Sequence, residues 1–278
     1  MLIAPKFFKA VILAVCATIS FNAAADALAD IKKTNVLKVG TEAAMPPIEF
    51  ISDGKIVGLG KDILDYIVAK NGFKLDQANL PWQGILPGLS AKRYDLVATS
   101  VTITPARAAN FAFTMPISEA TTFAVTQAKN GKINNLEDLN GKVGAVQIGS
   151  GTEQALRSYD AKVKQSGQPG LQSIKLYTTF PEVYLAVSNG EVDFGVHNLP
   201  SLNSMIKEKP GVYKLVGRIS DKTYYAWITR PEDTGLRDLF NADLKEMVLN
   251  GKMNELHQKW FGTNADLPLQ DYLPPGAK

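Results

Sequence analysis

Two distant stretches of the chain carry the same pattern, and that duplication limits the possible folds more than any other feature. Leu89–Ser100 (L-S-A-K-R-Y-D-L-V-A-T-S) and Val187–Asn198 (V-S-N-G-E-V-D-F-G-V-H-N) each read as helix end, turn, aspartate and buried strand. Lys38-Val39-Gly40 and Lys142-Val143-Gly144 open the two halves alike. A unit that occurs only twice indicates two similar lobes; a solenoid needs at least three. In this alignment Ser100 and Asn198 stand at equivalent strand ends.

Between these landmarks strand and helix patterns alternate, which predicts an α/β fold with largely parallel sheets. Val36–Thr41 reads as a strand and 61–70 as a helix with Ile63, Leu64, Ile67 and Val68 on one face, closed by Asn71-Gly72. A strand over 73–78, a helix over Trp82–Ser90 and a strand over 95–100 follow, and Phe123–Gln127 is extended. Lys129 to Asn140 is polar, and a new strand opens at Lys142. Tyr224–Thr229 (Y-Y-A-W-I-T) is strongly strand-like and is expected to return to the first lobe. The expected division is 36–127 plus 218–270 for lobe 1 and 128–217 for lobe 2. Extended connections near Phe123–Gln127 and Val216–Thr223 then form a two-strand hinge. Ligands of open parallel sheets collect at the carboxyl ends of strands, so two facing lobes imply a cleft.

Residues 1–25 read as an export signal. Lys6 and Lys9 precede the apolar run A-V-I-L-A-V-C-A-T-I-S, and Ala23-Ala24-Ala25 offers a small-residue cleavage site. The run is too short to span a bilayer. The only cysteine, Cys16, lies within it, in a context (L-A-V-C) poor for lipidation, so the mature chain has no disulfide, thiol nucleophile or thiolate metal site. Without the two leader lysines the chain carries 28 basic residues against 27 acidic ones. No basic tract or basic-aromatic stripe suggests nucleic acid.

Two segments suggest anion binding. In D-L-V-A-T-S-V-T-I-T-P-A-R (Asp95–Arg107), Thr104 is placed to cap a helix that starts at Pro105, with Arg107 in its first turn. A cation there faces the positive end of the helix dipole, a cost of up to about 1 kcal/mol that a bound anion would offset. In the second half, Gln147-Ile148-Gly149-Ser150-Gly151-Thr152-Glu153 joins a strand to a helix, with Ser150 and Glu153 at capping-box spacing. It has neither the lysine of a phosphate loop nor a dinucleotide fingerprint, and no cofactor is expected.

The runs L-K-V-G-T-E-A-A-M-P-P-I-E-F, G-K-I-V-G-L-G-K-D-I, L-P-G-L-S-A-K-R-Y-D-L-V-A-T-S-V-T-I-T-P-A-R and G-K-M-N-E-L-H-Q-K-W-F-G resemble, in this order, the bacterial family 3 extracellular solute-binding proteins. The resemblance spans roughly Val36 to Gly262. It implies a type II periplasmic-binding-protein fold, a monomer that closes on a small carboxylate-bearing amino acid or derivative in the periplasm and docks on the membrane subunits of an ABC permease. It further implies that Arg107 grips the carboxylate with Ser100 and Thr102. The second lobe then contributes Ser150, Gly151 and Thr152, and Trp82 packs on the ligand side chain.

Departures from the family pattern are as informative. Asn198 stands where an aspartate normally pairs with the ligand's α-ammonium, Met45 where a tyrosine stacks, and Gly60 where the first aspartate of a G-F-D-x-D segment falls. Glu42 and His197 are the remaining candidates to meet an amine, so the ligand's amine is expected to be absent, displaced or modified. The competing class is an enzyme resembling cyclohexadienyl dehydratase, for which Glu42, Glu153 and His197 are the nearby acid candidates. The chain has two histidines, no H-E-x-x-H and no G-x-S-x-G, so a binding protein without catalytic or metal residues is the primary expectation.

Overall fold

Runs rich in valine, isoleucine and leucine, punctuated by Asn-Gly and Gly turns, become strands covered by helices on their apolar faces. The computed structural model describes residues 26–278, so the expected export signal and Cys16 lie outside the described residues. The strands are β1 (Val36–Thr41), β2 (Ala44–Met45), β3 (Glu49–Ser52), β4 (Lys55–Val57), β5 (Lys74–Asn79), β6 (Leu96–Thr102), β7 (Ala112–Glu119), β8 (Thr122–Gln127), β9 (Val143–Gln147), β10 (Ser173–Tyr177), β11 (Phe194–Asn198), β12 (Tyr213–Arg218) and β13 (Tyr224–Thr229). The helices are α1 (Ala27–Thr34), α2 (Leu59–Asn71), α3 (Trp82–Ser90), α4 (Pro105–Ala108), α5 (Gly151–Gln165), α6 (Phe180–Asn189), α7 (Leu199–Glu208), α8 (Thr234–Leu249) and α9 (Lys252–Phe261).

Two five-stranded sheets result, ordered β5-β1-β6-β13-β7 and β10-β9-β11-β8-β12, with β2, β3 and β4 in a small third sheet. In the first, β1 runs parallel to β5 and β6, while β13 is antiparallel to β6 and β7. The second repeats the scheme: β9 is parallel to β10 and β11, and β8 is antiparallel to β11 and β12. The duplicated sequence pattern has a clear structural cause. Asp95 accepts from the Lys38 amide at 3.0 Å, and Asp193 accepts from the Val143 amide at 2.8 Å, so each aspartate clamps the start of its strand to the parallel neighbour, β1 or β9. Gly40 lies under the Tyr94 ring and Gly144 under the Phe194 ring, where an added Cβ would come within 2.8 and 2.6 Å.

The return of Tyr224–Thr229 to the first sheet agrees with the sequence expectation, but the lobe boundary needs correction. Strand β8 pairs between β11 and β12, so Phe123–Gln127 belongs to the second sheet and not to residues 36–127 as a block. The chain crosses between Glu119 and Thr122 and returns between Arg218 and Tyr224. Trp227 is fully buried, edge-on to Phe240 at 5.8 Å, as core packing of the return strand predicts. Trp260 seals the first lobe, its Nε1 donating to Asp62 at 2.7 Å and its ring edge-on to Phe50. His257 is buried, with Nε2 at 2.9 Å from the Ile117 carbonyl.

Candidate functional site

The carboxyl ends of β1, β6 and β9 and the start of α5 converge, and the first group they present is a guanidinium. Strand β6 runs two residues further than the sequence suggested, to Thr102, after which Thr104 caps α4 by accepting from the Arg107 amide at 3.3 Å. Helix α4 is a single turn of four residues, too short for an appreciable macrodipole, so the field argument for an anion at Arg107 does not hold. The geometry of the side chain is more telling. Arg107 lies over the Trp82 ring at 5.0 Å and donates through Nη1 to the Thr102 carbonyl and through Nη2 to the Gly149 carbonyl, both at 3.0 Å. The second bond crosses from one lobe to the other. Burial lowers the Arg107 pKa to about 10, still well above neutrality.

Opposite this cation stand two buried carboxyls. Glu42, just after β1, accepts from Gln147 Nε2 of the second lobe at 2.7 Å, and its burial raises its pKa to about 7. Glu49, at the start of β3, lies 2.7 Å from the Ser100 hydroxyl and is raised to about 8, first by burial and then by the proximity of Glu42. No basic side chain pairs with either among the described residues. The desolvation of a lone carboxylate favours its protonated form, which accounts for the direction of both shifts.

The second lobe closes the site from above. Ser150 caps α5, accepting from the Glu153 amide at 3.1 Å, and Glu153 accepts from the Gly149 amide at 2.6 Å. Gly151 and Thr152 are the first two helical residues, where amides have no intrahelical acceptor. Gly151 sits directly on Thr102: an added Cβ would come within 2.2 Å of Thr102 Oγ1.

Glu42, Met45, Trp82, Ser100, Thr102, Arg107, Ser150, Gly151 and Thr152 line one void, together with Gln147, Phe180 and Tyr225, which the sequence did not single out as ligand contacts. Asn198 and His197 do not line it. Asn198 caps α7, its Oδ1 accepting from the Ser201 amide at 2.9 Å and its Nδ2 within 3.6 Å of Met45 Sδ and 3.2 Å of Tyr225 Oη. The His197 ring packs 3.6 Å from the Phe180 centroid. Its Nδ1 accepts from the Asn198 amide at 2.7 Å, while its buried Nε2 has no partner. The sequence expectation that His197 serves an incoming ligand is thus not matched by its placement. Burial lowers its pKa to about 3, so the ring is neutral.

The void measures about 10 Å³, room for about one water, far below the roughly 300–1,000 Å³ of small-molecule sites. The lobes are therefore closed on each other. An outer recess of about 490 Å³ shares Arg107 and Ser150 with the void and adds Glu153 and Arg157. Another recess of similar volume lies between α7 and the end of α9. Its Lys259 and Asp266 are held in ion pairs with Asp62 and Lys222, so it offers no comparable convergence of polar groups.

Comparison with known proteins gives a consistent result. Residues 37–263 match the model for bacterial extracellular solute-binding proteins, family 3. The L-cystine-binding protein TcyJ of Escherichia coli K12 is 25% identical over 84% of this chain and 85% of its own length. An ancestral arginine-binding protein solved with arginine shares 32% identity, with a TM-score of 0.74 over 82% of this chain and 99% of that one. An ancestral amino-acid-binding protein described as a precursor of cyclohexadienyl dehydratase shares 27% identity, with a TM-score of 0.74 over 85% of this chain and 100% of that one.

Proposed function

Because this chain belongs to the bacterial extracellular solute-binding proteins, family 3, we propose that it is the exported substrate-binding component of an ABC importer, taking a small carboxylate-bearing amino acid or amino-acid derivative between its two lobes. The observation that carries this reading is the Arg107 fork, with one N–H on its own lobe at Thr102 and another reaching the facing lobe at Gly149. A carboxylate arriving as the lobes part takes the place of the Gly149 carbonyl and accepts two charge-assisted bonds from the fork, each worth about 1.5–3 kcal/mol. Ser100, Thr102 and the amides of Gly151 and Thr152 supply further donors, and Trp82 and Met45 provide apolar contact.

The amine end differs from the family pattern. Asn198 is committed to capping α7 through Oδ1 and does not line the void, so it is not placed to meet an ammonium. Glu42 is the carboxyl that faces the void, and it meets whatever cationic group the ligand carries. A ligand with a displaced, modified or absent α-amine follows from this arrangement. Calorimetry with the standard amino acids and their N-acylated and deaminated derivatives tests it, with native mass spectrometry of the protein as purified to detect a retained ligand. Tight binding confined to unmodified α-amino acids with neutral side chains would refute the amine assignment. Tight binding of compounds without a carboxylate would refute the whole reading.

One observation favours a second reading, a dehydratase on this scaffold: Glu42, raised to about 7, is a cleft acid able to donate a proton near neutrality. Incubation with prephenate or arogenate, followed for product, separates the two, and turnover is not expected.

A further inference from the structure

Behind the void, one carboxyl has no function yet. Glu49 is 1% exposed and reaches Ser100, itself 6% exposed, at 2.7 Å. Its other oxygen, Oε1, is buried without a hydrogen-bond partner among the described residues. The space it fills exists because residue 60 is a glycine: a Cβ there would come within 2.2 Å of Oε1. Around it lie Ser100 of β6, Gly60 of α2, Glu42 beyond β1 and Tyr225 of β13. Ionised Glu42 or Tyr225 would oppose a negative charge on Glu49, and no cation among the described residues offsets it. An ionised carboxylate so placed is strongly disfavoured, whereas a neutral acid needs only one acceptor for its proton. Ser100 Oγ is that acceptor.

We propose that Glu49 is a positioning residue for ligand binding: as a neutral acid it donates its proton to Ser100 Oγ and thereby leaves the Ser100 hydroxyl hydrogen free to point at the ligand's carboxylate. The inference rests on the reading above, in which Ser100 contacts that carboxylate. Ionisation of Glu49 reverses the bond. Ser100 then donates to Glu49 and turns only lone pairs toward the ligand, so an anionic acceptor meets an acceptor. Proton and hydrogen-bond counts balance in both states, since the proton lost from Glu49 goes to solvent. Affinity for a carboxylate therefore falls as pH rises through the Glu49 titration, which burial places near about 8.

The test uses the full-length mature protein and, as probe, the tightest-binding member of the panel of standard amino acids and their N-acetyl and deaminated derivatives. Dissociation constants are measured from about pH 6 to about pH 9 for the parent, Glu49→Gln and Ser100→Ala. In Glu49→Gln the amide donates to Ser100 Oγ at every pH. The parent is expected to weaken by about tenfold between about pH 7 and pH 9, since one pH unit past a pKa depletes the protonated form tenfold. Both variants are expected to follow a common, flatter profile. The ligand's own ionisation is shared by all three proteins and cancels in the comparison. An infrared titration of the carboxylic-acid C=O stretch, parent against Glu49→Gln, reports the Glu49 proton directly and needs no ligand. A parent profile as flat as that of Glu49→Gln, a Glu49→Gln profile as steep as the parent's, or loss of the neutral-acid band below about pH 7 would overturn the inference alone. Failure of every panel member to bind would overturn the parent reading and this inference with it.

Discussion

Replacing Arg107 tests the proposed ligand recognition apart from folding, because its side chain lines the void and none of its contacts is a core contact. It has no carboxylate partner among the described residues, and its contacts are two backbone carbonyls at 3.0 Å and the Trp82 face at 5.0 Å. Truncation leaves no buried charge unpaired, but it removes a cation–π contact worth about 0.5–1 kcal/mol and two carbonyl bonds that water replaces in part. Arg107→Ala is therefore expected to lower the unfolding free energy by about 1–3 kcal/mol and to leave the protein folded. Binding is another matter. Two charge-assisted bonds to a ligand carboxylate amount to about 3–6 kcal/mol, so Arg107→Ala is expected to weaken binding by about two to four orders of magnitude. Arg107→Lys keeps the charge but cannot reproduce the fork, and losing one of two bonds predicts about one to two orders. Calorimetry against the panel, with urea unfolding of the same preparations, checks both halves. Binding by Arg107→Ala within about threefold of the parent would refute the placement of the ligand. A larger loss of stability would refute the claim that none of its contacts is a core contact.

Other positions give independent tests. His197, fully buried and held near about 3, is neutral in the fold but protonates below about 6.5 when unfolded. Its contribution is complete above about pH 6.5 and is lost as pH falls toward about 3, at up to about 1.4 kcal/mol per unit. His197→Phe is expected to flatten this acid limb in urea titrations, and an unchanged slope counts against the assignment. Gly151→Ala drives a Cβ to within 2.2 Å of Thr102 Oγ1. It is expected to hold the lobes further apart, seen as a longer cross-cleft distance between spin labels, with unchanged thermal stability of the lobes; an unaltered distance would show that the contact is not limiting. Arg230 is buried, pairs with Asp233 at 2.7 Å and donates to the Tyr94 carbonyl at 2.7 Å. Arg230→Met strands the buried Asp233 carboxyl and is expected to destabilise by about 3–5 kcal/mol in urea, while a loss below about 1 contradicts it.

The fold was legible where local and global signals agree. Asp95 and Asp193 recur in sequence because each clamps its strand to a parallel neighbour, and Gly40 and Gly144 recur because each lies under a ring. The lobe boundary was misplaced for the complementary reason: β8 is as apolar as a lobe 1 strand, and only its pairing with β11 and β12 assigns it to the second sheet. Arg107 was legible from its strand-turn context, although the helix it begins is too short for the field first invoked. Glu49 was not legible. Nothing in M-P-P-I-E-F singles that carboxyl out, and only the space left by Gly60 explains why it is buried. Gln147 and Phe180 were missed because both act across the cleft, where no sequence periodicity reaches.

The two chain crossings are bonded to each other. The Ala120 amide donates to the Thr223 carbonyl at 2.8 Å, and the Ile219 amide to the Thr122 carbonyl at 2.7 Å, so the connections bend as one hinge. Closure then brings together Gln147 with Glu42, Arg107 with the Gly149 carbonyl, and Gln83 with the Thr178 carbonyl. Under the proposed function the first two pairs use the very groups that hold a ligand, so a ligand competes with the protein's own closure, and its apparent affinity is reduced by the fraction of molecules already shut. Selectivity follows from that competition. A neutral acceptor offers Arg107 nothing better than the Gly149 carbonyl. A carboxylate adds a second, opposite charge to a bond that so far has only the guanidinium's, and this added attraction, repeated over the fork, favours closing around an anion over closing around nothing.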